Sequence, residues 1–284
     1  MKRLVVNADD FGLSPGVNRG ILDAFNNGIV TSTTMLVNLD HFDDALAIKG
    51  EHPELPVGVH LSLVWGRPVS DPAKVPSLVD RDGRFPTRLG VLARRYWLGQ
   101  LSTTDVQTEF ESQIRKFQAS GLTPTHLDTH MHIHCLPGIF RALVAAATAC
   151  GIEKVRISHE ESLVPPAGTT RRTALSAAGK RKLVGLLARR QRQRLAGAGL
   201  RTTDHFVGIE YMYDLNSDAL RFILLSLRDG LTELMCHPGF NDQVASGYSH
   251  EPPYRERELE CLTDAGIVEL AARESIEFTN YGEI

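Results

Sequence analysis

Only four cysteines occur in the 284 residues, Cys135, Cys150, Cys236 and Cys261, and no two form a CxxC pair. That excludes a zinc ribbon and a dense disulfide framework, and it fits a reducing compartment. No stretch approaches the roughly 20 apolar residues of a membrane span. The opening MKRLVVNADD holds three consecutive apolar residues before Asn7, too few for the apolar region of a signal peptide, so a cytoplasmic location is expected. A net charge of −3 gives no general attraction for nucleic acid. Asp10-Phe11-Gly12 spells the magnesium motif of kinases, but no glycine-rich loop or lysine strand precedes it. Gly12, Gly16 and Gly20 match neither the dinucleotide nor the Walker spacing, so nucleotide binding has no support.

What is present is an alternation of strands and helices. Leu4 to Val6 reads as a short buried strand running into polar residues, and Ser14-Pro15 reads as a helix cap with proline at the first helical position. Further strands are expected at about Ile29 to Val37, Val57 to Leu63, Lys154 to Ser158, His205 to Ile209, Leu231 to Cys236 and Ile276 to Thr279, with helices between them. Such a series predicts a mostly parallel sheet with right-handed crossovers, most economically a closed or nearly closed, TIM-barrel-like (β/α) barrel, with a doubly wound open sheet as the fallback. One domain over residues 1–284 suffices for it. The Pro-, Gly- and Asp-rich stretch from Trp65 to about Thr103 is long for a connection and reads as a lid or substrate wall.

The strongest chemical signal is His126, Asp128, His130, His132 and His134, which in an extended chain all project to one face. Five such groups suggest a metal, although not all can ligate one ion. Asp9 and Asp10 stand where the first strand should end, the edge at which parallel α/β folds collect catalytic groups. Adjacent aspartates on an extended backbone point to different sides, one free for a metal and the other for substrate or water. His60 interrupts an apolar strand in opposite phase to Val57, Val59, Leu61 and Leu63, and with one aspartate and a later histidine it completes two imidazoles and a carboxylate. His237 leaves the strand ending at Cys236 and could face the same rim as a proton donor.

These residues, taken as Asn7-Ala-Asp-Asp-Phe-Gly-Leu13, Gly28-Ile-Val-Thr-Ser-Thr-Thr34, Gly58-Val-His-Leu61, Pro124-Thr-His-Leu-Asp-Thr-His-Met-His-Ile-His134 and Cys236-His-Pro238, resemble the YdjC-like carbohydrate deacetylases. The resemblance runs over essentially the whole chain and implies a distorted (β/α) barrel. It also implies Asp10, His60 and His130 as metal ligands, Asp9 as catalytic base and His237 as acid. Magnesium is the ion that the resemblance implies, whereas a nitrogen-rich ligand set favours zinc or another transition metal. One branch of the family acts on chitooligosaccharides and another, associated with hopanoid biosynthesis, on an N-acetylglucosaminyl lipid. Thr125 to His130 and Asp204-His-Phe206 look closer to the first, Arg171 to Arg201 and Thr232 to Pro238 to the second.

The expected reaction is therefore removal of an N-acetyl group from an amino sugar, oligosaccharide or glycolipid, by one divalent ion with Asp9 and His237. Trp65, Tyr211 and Tyr213 are candidates for stacking on a sugar ring. Asp128 is placed with them on the substrate side, and is next in line as base. Rival expectations are an esterase or phosphodiesterase using the same ligands, and a carbohydrate-binding protein without turnover. Arg171 to Arg201 carries ten of the 31 Lys and Arg residues and no acid. Weak peripheral contact with an anionic membrane is one reading of it, a solvated basic excursion the other. A homodimer stays open.

Overall fold

The computed structural model describes residues 1–160, 189–248 and 254–284. Seven strands, β1 (Lys2–Phe11), β2 (Ser32–Met35), β3 (Val57–Leu61), β4 (Leu127–Thr129), β5 (His205–Val207), β6 (Gly230–Cys236) and β7 (Glu277–Phe278), form one all-parallel sheet. Its order is β4-β3-β2-β1-β6-β5, with β7 beside the start of β1. The two ends of this path are brought together by residues 154–160, where Val155 bridges to Leu127 and Glu160 to Phe206. The sheet is thus a distorted, nearly closed barrel, and Lys154 to Ser158 contributes bridges where the sequence predicts a regular strand.

Helices cover the outside: α1 (Pro15–Asn27), α2 (Phe42–Glu51), α3 (Leu89–Trp97), α4 (Thr103–Ala119), α5 (Pro137–Ala149), helical residues 189–197 (α6), α7 (Ser217–Ser226), α8 (Gln243–Tyr248), α9 (Tyr254–Leu262) and α10 (Ala265–Arg273). The α1 start is as its sequence predicts, the Ser14 hydroxyl accepting from the Val17 amide. Leu4, Val6 and Ala8 of β1, Val57, Val59 and Leu61 of β3, and Leu234 and Cys236 of β6 join the apolar core under the helices. Strand alternation then sends the intervening residues inward, and these are largely polar: Asn7, Asp9, Thr34, His60, Asp128 and Glu233, all buried. The interior is narrow. A Cβ on Gly58 would stand 2.6 Å from Nδ1 of His126, so glycine there makes room for that ring.

Two expectations change. The first strand extends beyond the apolar Leu4 to Val6 and through both aspartates to Phe11, every residue from Leu4 to Phe11 being buried and parallel pairing continuing with β6 to Ala8 and with β2 to Phe11. The stretch from Trp65 to Thr103 contains a 3-10 turn (Pro72–Lys74) and α3. Of the basic segment Arg171 to Arg201, residues 171–188 lie outside the described residues; the remainder is docked, with Leu195 buried and Gln191 donating to the His134 carbonyl at 2.9 Å. Among the described residues no helix is long and apolar enough to cross a membrane, and the four cysteines are free.

Candidate metal centre

The end of β1 departs from regular alternation. Its register against β2 shifts between Ala8 and Phe11, and Asp10 takes φ 74°, the left-handed region that a non-glycine residue occupies only under constraint. Asp9 and Asp10 consequently both lie beside His60 instead of on opposite faces. His60 is on β3 and Asp128 on β4, paired in register. His130 begins the 3-10 segment His130–Cys135, in which Met131 and His132 have φ 55° and 52°.

Asp10, His60 and His130 meet through one atom each. Oδ1 of Asp10 lies 3.0 Å from Nδ1 of His130 and 3.5 Å from Nε2 of His60, and the two ring nitrogens are 3.3 Å apart. A metal with bonds of about 2.0–2.2 Å spans ligand separations of roughly 3.0 Å in octahedral and roughly 3.5 Å in tetrahedral geometry, so these three atoms fit one ion. The second atoms of Asp10 and His60 are already committed. Arg255 donates to Oδ2 of Asp10 at 2.6 Å, and Nδ1 of His60 lies 2.7 Å from Oδ1 of Asp128. A carboxylate only accepts, so Asp128 keeps the His60 proton on Nδ1 and leaves the Nε2 lone pair facing Asp10 and His130.

On the other side of His60 lies Arg156, fully buried. Its guanidinium binds both oxygens of Asp9 (2.6 and 2.7 Å), Oδ2 of Asp128 (2.6 Å) and Oε1 of Glu233 (2.7 Å). The hydroxyl of Tyr281 donates to Glu233, and Asn7 and Thr34 donate to Asp9. With the imidazoles neutral, as metal ligation requires, four buried carboxylates, Asp9, Asp10, Asp128 and Glu233, face two guanidinia, Arg156 and Arg255, a formal excess of two negative charges. That excess is what a divalent cation would neutralise, and the donor set therefore fits such an ion.

The electrostatics follow. Burial resists charge on Asp9, but the Arg156 guanidinium and its hydrogen bonds, with His60, hold the carboxyl well below the usual range. Burial likewise opposes charge on Asp10, and His130 and Arg255 outweigh it. Burial would make His60 harder to protonate, yet the Asp128 carboxylate with its hydrogen bond, then Asp9 and Asp10, push the ring up to about 9. Burial takes His237 down to about 4 against the pull of both aspartates. His237 follows β6, its amide donates to Glu258 at 2.6 Å, and its Nδ1 is buried without a hydrogen-bond partner.

The five-residue array does not share one face, because the chain turns left-handed after Thr129. His126 stacks on Tyr281 with centroids 3.6 Å apart, and His132 and His134 share the Ser158 hydroxyl at 2.8 and 3.1 Å. Asp128 is fully buried behind His60, both oxygens engaged. Trp65 is brought to the centre, its ring 4.6 Å from that of His130 and 5.1 Å from Tyr248. It borders a cavity of about 420 Å³ lined also by Asn38, Asp40, Arg84 and Tyr248. Tyr213 packs against Tyr254, whose ring is 4.7 Å from Tyr213 and 6.3 Å from His237. Tyr211 packs against the core, its hydroxyl buried and unpartnered.

Sequence reasoning missed Arg156, Arg255 and Glu233. Arg156 had a signal, a charge alternating with Val155 and Ile157 in a short apolar segment. Arg255 had none, standing in Tyr-Arg-Glu-Arg-Glu beside Arg257, whose side chain is about half exposed.

Residues 3–273 match the model of a family described as YdjC-like protein. A carbohydrate deacetylase of Geobacillus stearothermophilus is 36% identical, over 98% of this chain and 96% of that protein. A chitooligosaccharide deacetylase of Yersinia enterocolitica is 34% identical, over 99% and 96%. An Enterococcus faecalis V583 structure, provisionally named for cellobiose-phosphate cleavage, superposes with a TM-score of 0.79 at 27% identity, over 99% of this chain and 98% of that one.

Proposed function

The chain belongs to the YdjC-like protein family, and on that footing we propose that it is a metal-dependent hydrolase removing the N-acetyl group of an amino sugar. The observation that carries the metal is the triangle of Asp10 Oδ1, His60 Nε2 and His130 Nδ1, 3.0–3.5 Å on a side beside an excess of buried negative charge. The names of the deacetylase relatives support the reaction class. Two imidazoles and one carboxylate favour zinc or a neighbouring transition metal; magnesium is the ion that the family resemblance favours.

A divalent ion held by these three residues would supply a Lewis acid that polarises the acetyl carbonyl and acidifies water. Arg255 turns Asp10 so that Oδ1 remains for the ion, and Asp128 does the same for Nε2 of His60. Asp9 accepts the proton of the attacking water. Gripped by Arg156 it is a weak base, suited to water already acidified, and it stays ionised at any working pH. His237 is neutral by burial. Its unpartnered Nδ1 is available to gain a proton and pass it to the departing amine. Trp65 and the cavity beside it would take the sugar, Trp65 offering its face to a ring.

The test is acetate release from N-acetylglucosamine, chitobiose, longer oligomers and N-acetylglucosaminyl glycolipids, with magnesium, zinc and cobalt compared. O-acetyl and phosphodiester substrates run beside them. Release from an N-acetyl sugar with one of these ions is expected; hydrolysis of the esters alone, or none with metal demonstrably bound, would remove the assignment.

A further inference from the structure

Helix α4 buries Val106, Phe110, Ile114 and Phe117, as amphipathic spacing dictates, but it also buries Glu109 and Gln113 one turn apart with no exposed surface. A carboxylate so enclosed has to be satisfied by donors. Oε1 of Glu109 accepts from the Val69 amide at 2.9 Å and from Nε2 of Gln113 at 2.7 Å; Oε2 accepts from the Ser70 amide at 2.9 Å. Gln113 in turn accepts from the Ser62 amide at 3.0 Å and donates to the Ser62 carbonyl at 2.7 Å. The two side chains therefore hold both ends of the loop 62–70.

At the tip of that loop stands Trp65. Its φ is 67° and that of Gly66 is 71°. A bulky residue in the left-handed region persists only where its surroundings impose it. Here the Trp65 amide donates to the Pro86 carbonyl at 3.1 Å, its indole N–H to the Thr87 carbonyl at 3.0 Å, and Asn38 donates to its carbonyl at 3.0 Å. The ring so fixed stands 4.6 Å from His130 and forms one wall of the 420 Å³ cavity.

We propose that Glu109, with Gln113, is a positioning residue for the reaction, clasping loop 62–70 to α4 so that Trp65 is held beside His130 as the face on which the sugar stacks. The role in turnover rests on the deacetylase reading; the clasp itself does not. Trp65 and Trp97 are the only two tryptophans, and Trp97 is 73% exposed, so Trp97→Phe leaves Trp65 as the single emitter with the site intact.

In that background Glu109→Ala should shift Trp65 emission to the red, open it to acrylamide, and raise KM for the N-acetyl sugar about tenfold with kcat within about threefold, the pattern of binding lost equally from ground and transition states. Glu109→Gln keeps the shape and one acceptor, and should recover KM to within about threefold of the parent. Gln113→Met, which releases only the Ser62 end, should give the same changes at smaller size and serves if Glu109→Ala does not fold. A lowered melting temperature with parent-like emission and KM, or an equal fall of kcat and kcat/KM, overturns the proposal. Should the parent release no acetate from any sugar, the deacetylase reading fails alone, and unchanged Trp65 emission in both Glu109→Ala and Gln113→Met still overturns the clasp.

Discussion

Two charged clusters meet at the His60 ring, and they are built in opposite ways. Toward Nδ1, Arg156 is fully enclosed by Asp9, Asp128 and Glu233, and its N–H groups pair with carboxylates at 2.6–2.8 Å. Toward Nε2, Asp10 Oδ1, His60 Nε2 and His130 Nδ1 converge as three atoms able to ligate one ion, and Nε2 of His130 is buried without a partner. A saturated cluster rigidifies; converging acceptor atoms are what the coordination sphere of a cation uses. On the proposed reading one imidazole separates function from support, and substitutions on its two sides should differ in kind.

The largest effects belong to the unsaturated side. His130→Ala should bring acetate release to background and lose metal in equilibrium dialysis, while changing the melting temperature of the metal-free protein little; metal retained at the parent level would remove the site. On the saturated side, Arg156→Met leaves three carboxylates without their cation and should cost about 3–5 kcal/mol in denaturant unfolding, with or without metal. A loss under about 1 kcal/mol would mean that the network contributes little to the fold. Asp9→Asn touches both clusters' purposes: metal should stay while kcat falls by roughly 100 to 10,000-fold, and full activity would move the base elsewhere.

The unsaturated side was the more legible in the sequence, because metal chemistry uses few residue types and Asp10, His60 and His130 stand at or beside strand ends. What the spacing could not supply was the bulge that brings Asp9 and Asp10 together, since φ 74° at Asp10 has no local signature. Nor could it supply the turn after Thr129, which divides His126, His130 and His132 among three environments. The saturated side was nearly invisible: Arg156 pairs with residues 147, 28 and 77 positions away, and such partners are chosen only by barrel closure. Glu109 was missed for the related reason that a polar residue on the buried face of a helix looks like an interruption of its apolar stripe.

Asp128 spans the two clusters and should show an intermediate effect. Asp128→Asn exchanges the charged acceptor that fixes His60 for a neutral amide, and metal affinity should fall about 10 to 100-fold, with kcat at saturating metal much less changed. Acid should act on both sides, since Asp9 and Asp10 are each held below the ordinary carboxylate range. Asp9 titrates lower folded than unfolded, so its contribution is fully present above about 3.8 and lost as pH falls below that value. The part of the acid limb due to Asp9 should be the same in metal-free and metal-loaded protein, and any part that metal moves reports Asp10.

The smallest effect separates the clusters by pH. Without metal, His60 titrates at about 9, above its ordinary 6.5, so its charged form stabilises the metal-free fold fully below about 6.5 and progressively less as pH rises toward 9. A metal needs the Nε2 lone pair and must displace that proton. Between pH 6.5 and 8.5 affinity should rise about tenfold per unit, one proton leaving per ion bound, and it should level off near 9. Titration calorimetry at pH 7.5 in buffers of differing ionisation enthalpy counts the proton directly. Asp128→Asn removes the main support of the His60 charge, so it should bring the count toward zero at that pH while weakening binding at every pH. A count of zero in the parent would mean that His60 is already neutral and that the excess negative charge is balanced elsewhere, ending the opposition between the two sides of the ring.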